Sequence, residues 1–100
     1  MAEKQLEVLA VGDVVTDAFI KLLDKEAHVT RTENGQVLSM PFATKVPFDH
    51  AQVVAGVGNA ANAAVAFVRL GLDAGLVANV GHDDWGREII TTLKQAGVDT

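Results

Sequence analysis

One hundred residues, 49% hydrophobic and 21% charged with only two prolines, amount to at most one globular domain with enough chain for a core and without the composition of disorder. A formal net charge of −5 argues against a nucleic-acid-coating protein, and the absence of cysteine excludes disulfides and thiolate metal sites. No apolar run approaches the ~20 residues of a membrane-spanning helix, and residues 1–5 (MAEKQ) carry no signal-peptide pattern, so no membrane partner and a cytoplasmic location are expected.

Residues 6–12 (LEVLAVG) form a continuous apolar run broken only by Glu7, which predicts a central strand buried on both faces and ended by Gly12. In open α/β sheets ligands sit beyond the C-terminal ends of such strands, which draws attention to residues 13–17 (DVVTD). Asp13 reads as a turn residue. Asp17 is either a solvated turn residue or a ligand group; an ionised carboxylate only accepts hydrogen bonds and so suits vicinal hydroxyls. Residues 18–23 (AFIKLL) are a second apolar segment. Residues 28–31 and 36–40 flank Asn34-Gly35, a strong hairpin-turn signal. Residues 44–48 read as a further extended piece with Pro47 marking an edge. His28 and His50 stand alone, without partners at metal-ligand spacing, and read as surface residues.

A change of character follows. Residues 55–86 (AGVGNAANAAVAFVRLGLDAGLVANVGHDDWG) read as a glycine-rich loop, a helix, a strand and a second turn. Gly56 and Gly58 open backbone angles closed to other residues and leave room for a ligand. Asn59 is the expected N-cap of an alanine-rich helix over residues 60–70, with Gly71 at its left-handed C-cap position. A helix N-terminus offers unpaired N–H groups and partial positive charge to whatever binds. Residues 74–80 are expected as a buried strand. Asp83 is placed to cap a last helix in which Trp85, Ile89, Leu93 and Ala96 make one apolar stripe, Trp85 being expected as a core or staple residue. Gly97 closes that helix, and residues 97–100 (GVDT) lead towards another strand.

Stretch 55–86 resembles the first signature of the ribokinase-like, PfkB-type carbohydrate kinase family. Gly58, Asn62, Ala64, Gly71 and Gly81 fall at that signature's separations, and residues 80–86 (VGHDDWG) resemble the family's V-G-D-D-x-x-G turn. The chain departs from the pattern at Val57, where a glycine is usual, and at His82, where an aspartate is usual. The resemblance implies an α/β fold: the N-terminal part of a ribokinase-like three-layer α/β/α domain with a small β-sheet lid. It divides residues 1–100 into a first core strand and loop (1–16), a β-rich lid (17–48), and the glycine-rich loop, helix, strand and helix (49–100). Family kinases are longer than this chain, which implies a fragment.

The same resemblance implies ATP-dependent phosphorylation of a hydroxyl on a sugar or nucleoside, with Mg²⁺, and a dimer formed through the lid. It puts a substrate-binding aspartate five residues after the glycine that ends the first strand, the position of Asp17 relative to Gly12. Gly56, Gly58, Asn59 and Asn62 are the other expected substrate-binding residues. Many sugar kinases of the family carry an asparagine where this chain has Val15, which leaves the sugar open. The family's catalytic base lies in a later D-T-x-G-A-G-D signature that matches nothing in residues 1–100, so no catalytic residue and no metal ligand is expected here.

Two other readings stand beside this one. Gly56-Val57-Gly58-Asn59-Ala60-Ala61 satisfies the G-x-G-x-x-A fingerprint of an NAD-binding Rossmann-type domain. Against it, no acidic residue ends the next strand to take the ribose hydroxyls, and about fifty residues precede the motif. A non-catalytic sugar- or nucleoside-binding or assembly module is the third.

Overall fold

A computed structural model describes residues 5–100; of the stretch read for a leader, residues 1–4 lie outside the described residues. The described chain runs β1 (Val8–Val11), β2 (Val15–Leu22), β3 (His28–Thr32), β4 (Gly35–Ser39), β5 (Phe48–Val57), α1 (Asn59–Arg69), β6 (Ala74–Val77) and α2 (Asp84–Gln95). It divides into two compact units, one of Met1–Asp17 with Val53–Thr100 and one of Ala18–Gln52. Strands β2 and β5 pair with each other, and each has residues in both units.

The first unit is α/β. Parallel strands β1 and β6 pair in the register Val8↔Ala74 to Val11↔Val77. Beyond β6, the Asp99 N–H donates to the Ala74 carbonyl (3.0 Å) and the Leu76 N–H to the Asp99 carbonyl (2.9 Å). The expected next strand therefore begins as a parallel bridge on the free edge of β6. The core gathers Ala55, Ala61, Ala64, Leu76, Ile89, Leu93 and Val98, with Ala10 and Val14 packed against it. Ala61 and Ala64 of α1 are fully buried, at 0% exposure, so the small side chains let the helix lie close on β1 and β6.

Strand β1 departs from expectation because it is buried on one face only. Leu9 and Val11 are 53% and 70% exposed, and their register partners Gly75 and Val77 lie on that same side. Both helices contribute to the core on the opposite side, that of Ala10 and Leu76, so the outer face of the β1–β6 pair carries no layer among the described residues.

Helix α2 is capped as its sequence suggests, since the Asp83 carboxylate accepts from the Gly86 N–H at 2.8 Å. Its buried side differs from the expected stripe. Gly86, Ile89 and Leu93 face in, whereas Trp85 is 57% exposed. The reason is contact between backbones. A Cβ on Gly86 would collide with the carbonyl of Gly81, so the helix start is drawn in at Gly86 and its neighbour Trp85 is turned outward. The V-G-H-D-D-W-G turn is thus a structural knot, in which two glycines touch and Asp83 caps. His82, the departure from the family pattern, is exposed and leaves that knot untouched.

The second unit is built from strands. Hairpin β3–β4 pairs His28↔Ser39 to Thr32↔Gly35, so the two turn residues are Glu33 and Asn34 rather than Asn34 and Gly35. A type I′ turn needs positive φ at both central residues, and here only Gly35 has it, at 115°. The Thr32 side chain holds the turn, its hydroxyl accepting from the Asn34 N–H at 3.3 Å and donating to the Gly35 carbonyl at 2.9 Å. Residues 44–47 are not strand; β5 starts at Phe48 and runs on through Gly56 and Val57, which the sequence had suggested as loop. Strand β2 likewise begins earlier than the apolar segment at 18–23.

Gly86→Ala should destabilise the protein by about 3 kcal/mol, since the obstacle is backbone that cannot rotate away. Thermal or denaturant unfolding checks it, and a loss under about 1 kcal/mol would mean the Gly81–Gly86 contact is loose.

Candidate functional site

The loop after β1 and the start of α1 meet. Gly12 comes so close to α1 that an added Cβ would lie 2.9 Å from the Ala60 Cβ. Gly58 is the N-cap of α1 with φ 107° and ψ 168°, a conformation essentially reserved for glycine. An added Cβ there would lie 3.2 Å from an Asp13 carboxylate oxygen. The other carboxylate oxygen of Asp13 accepts a hydrogen bond from the Ala60 N–H at 3.2 Å, across 47 residues of chain.

This corrects two expectations. Asn59 is the first residue of α1 and not its cap, and the N-cap residue makes no side-chain capping bond. Asp13, read as a turn residue, supplies the capping carboxylate from a remote loop. Local sequence could not reveal it, because capping preferences are read from residues adjacent to the helix.

Strand pairing carries the remaining candidates. Asp17 is exposed on β2, which pairs with β5, the strand that ends in Gly56 and Val57. Gly56 is buried against Thr92 and Leu93 of α2 and has φ 73°. The Asn62 N–H donates to the Gly58 carbonyl at 2.8 Å in the first turn of α1. Asn62, with Gly56, Val57, Arg69 and Thr92, lines an open cavity of about 650 Å³. Asp17, Gly58 and Asn59 are not among the residues lining that cavity, so the geometry divides the expected set in two. Gly56 and Asn62 share the cavity, whereas Gly58 and Asn59 stand at the helix start beside Asp13.

Thr16, between Val15 and Asp17, has a hydroxyl that is buried without a hydrogen-bond partner among the described residues. His28 and His50 are exposed, and His50 Nδ1 lies 3.3 Å from Asp49. Among the described residues no group of three or more His, Cys, Asp or Glu side chains could hold a metal ion, and no helix is long and apolar enough to cross a membrane.

A parallel β1–β6 pair under two helices, with a strand-built segment inserted between β1 and the glycine-led helix, defines an α/β protein of ribokinase-like fold. A solved structure from Agrobacterium tumefaciens, assigned as a ribokinase, superposes with a TM-score of 0.64 at 31% identity over 93% of this chain. Residues 44–100, more than half of the chain, match the profile of pfkB family carbohydrate kinases. The chain belongs to that family. The bifunctional protein HldE of Magnetococcus marinus is 32% identical over 97 residues. The chain spans 17% of the HldE protein's length and 26% of the Agrobacterium chain.

Thr16→Val keeps the shape of the side chain and removes the unpaired hydroxyl. The variant should match the parent in stability or exceed it by up to about 1 kcal/mol. Denaturant titration checks this, and a loss beyond about 1 kcal/mol would reveal a partner for that hydroxyl.

Proposed function

We propose that the natural protein transfers the terminal phosphoryl group of ATP to a hydroxyl of a sugar or nucleoside, and that this chain supplies the part of the site that holds the acceptor. The observation that carries this reading is the meeting of the β1 exit loop with the glycine-led start of α1, in a chain of the pfkB family. Phosphoryl transfer needs a positioned hydroxyl above all. Asp17 accepts hydrogen bonds from acceptor hydroxyls, while the Gly58 backbone and Asn59 line the approach to them at the helix start, and Gly56 and Asn62 contribute from the cavity they share. Val57, in place of the usual glycine, limits how closely a sugar approaches the loop, and Val15 leaves the identity of the sugar open.

ATP and Mg²⁺ belong to this reading through the family. The described side chains do not form a metal-ligand set, so no step is assigned to a metal held by them. The catalytic base is assigned to no residue of 1–100. The β-rich segment 17–48 acts as a lid, and two copies of the protein join through it. Supporting this second role, Phe19, Ile20, Val29, Leu38, Met40 and Phe42 in that segment are all exposed. The protein works in the cytoplasm.

The dinucleotide reading finds no support in the strand order. A Rossmann fingerprint joins two neighbouring parallel strands. Here β5, which ends in Gly56 and Val57, pairs with β2, while β6, which follows the helix, pairs with β1.

Asp17→Ala in the full-length protein should weaken sugar or nucleoside binding by about 10- to 150-fold, the equivalent of roughly 1.5–3 kcal/mol of charge-assisted hydrogen bonding. Calorimetric titration of D-ribose, D-fructose and adenosine measures it. Unchanged affinity for the best of the three would remove Asp17 from the site.

A further inference from the structure

The contact between Asp13 and α1 does more than end a helix. The first N–H groups of a helix have no intrahelical partner, and at a ligand-binding loop they are usually left to water, a neighbouring side chain or the ligand itself. Here a carboxylate from the loop after β1 takes the Ala60 N–H. The same carboxylate stands against Gly58, within 3.2 Å of where a Cβ would be. One residue earlier, Gly12 meets Ala60 with no space for a Cβ on its own backbone. Two consecutive residues of one loop thus grip two positions at the start of α1, Gly58 and Ala60; the gripped segment carries Asn59, and the gripping loop leads into β2, which carries Asp17. Asp17 lies four residues beyond Asp13, and Asn59 sits between the two gripped positions.

We infer that Asp13 is a positioning residue for the phosphoryl-acceptor site, fixing the Gly58–Asn59 segment relative to the loop that leads into Asp17 on β2 through its bond to the Ala60 N–H. The inference rests on the kinase reading for the identity of the ligand but not for the contact itself. Its consequence is a division of labour between two carboxylates four residues apart in the chain. Asp17 touches the acceptor, and Asp13 holds the frame against which the acceptor is aligned. Because Asp13 acts through a capping bond, an amide oxygen at the same place should serve nearly as well, since asparagine and aspartate cap helices about equally. Alanine should not serve.

The test uses the full-length protein with Asp13→Ala and Asp13→Asn, and reads two quantities. The first is hydrogen exchange at the Ala60 amide, which needs no ligand. The second is the pair of Michaelis constants, for ATP and for the best acceptor among D-ribose, D-fructose and adenosine. Asp13→Ala should speed Ala60 exchange and raise the acceptor KM, each by about five- to tenfold, matching the loss of one capping bond. The KM for ATP and kcat should stay within about twofold of the parent, a split that general loss of folded protein would not produce. Asp13→Asn should restore both quantities. Unchanged Ala60 protection in Asp13→Ala would overturn the inference, and so would equal damage in both variants, which would make the charge and not the cap the active feature. Should Asp13→Ala fail to fold, Asp13→Asn alone decides: parent-like acceptor KM supports the inference and a raised one overturns it. Should the parent protein phosphorylate none of the three probes, the kinase reading takes the loss and the exchange experiment still decides on Asp13.

Discussion

The structure depends on how close α1 lies to the parallel pair β1–β6. Ala61 and Ala64 are completely buried on that surface, and only small side chains allow so short an approach. Larger residues there would force overpacking, for which a close-packed interior has no room. The short approach is also what brings the first turn of α1 into contact with the loop leaving β1. Gly12 abuts Ala60, Asp13 reaches the Ala60 N–H, and Gly58 takes a backbone conformation closed to other residues. The candidate site is therefore a by-product of tight helix–sheet packing, placed where the C-terminal end of a parallel strand faces a helix N-terminus.

The second glycine pair follows the same logic at the far end of β6. Gly81 and Gly86 press their backbones together, and Asp83 caps the helix they start. Of the family's V-G-D-D-x-x-G pattern, both glycines and one aspartate that this chain keeps, Gly81, Gly86 and Asp83, make that knot. The position it changes, His82, is exposed. The departure is thereby explained in physical terms, because an exposed residue beside a cap can vary without disturbing either the contact or the cap.

Much of this was legible in the sequence, and the failures share a cause. Helix α1, the Gly71 and Gly97 terminations, the Asp83 cap and the start of a strand at Asp99 all rest on signals within a few residues of the feature. What failed was non-local. Asp13 capping a helix across 47 residues has no local signature. Trp85 facing out depends on a contact between two backbones, which leaves no apolar trace. The apolar run of β1 suggested burial on both faces, but Leu9 and Val11 are exposed because both helices pack on the opposite side. Glycine-rich positions 56–57 read as loop, yet pairing between β2 and β5 extends the strand through them. Of the residues expected at the site, Gly56 and Asn62 share a cavity, and Gly58 and Asn59 gather at the helix start, a partition visible only once the strands are paired.

The most direct measurement is incubation of the full-length protein with ATP, Mg²⁺ and a panel of sugars and nucleosides, with products followed by mass spectrometry and ³¹P NMR. The account predicts a phosphomonoester on one acceptor hydroxyl, formed in step with ADP and only when that acceptor is present. ATP left intact with every acceptor, or saturable NAD binding in its place, would contradict it.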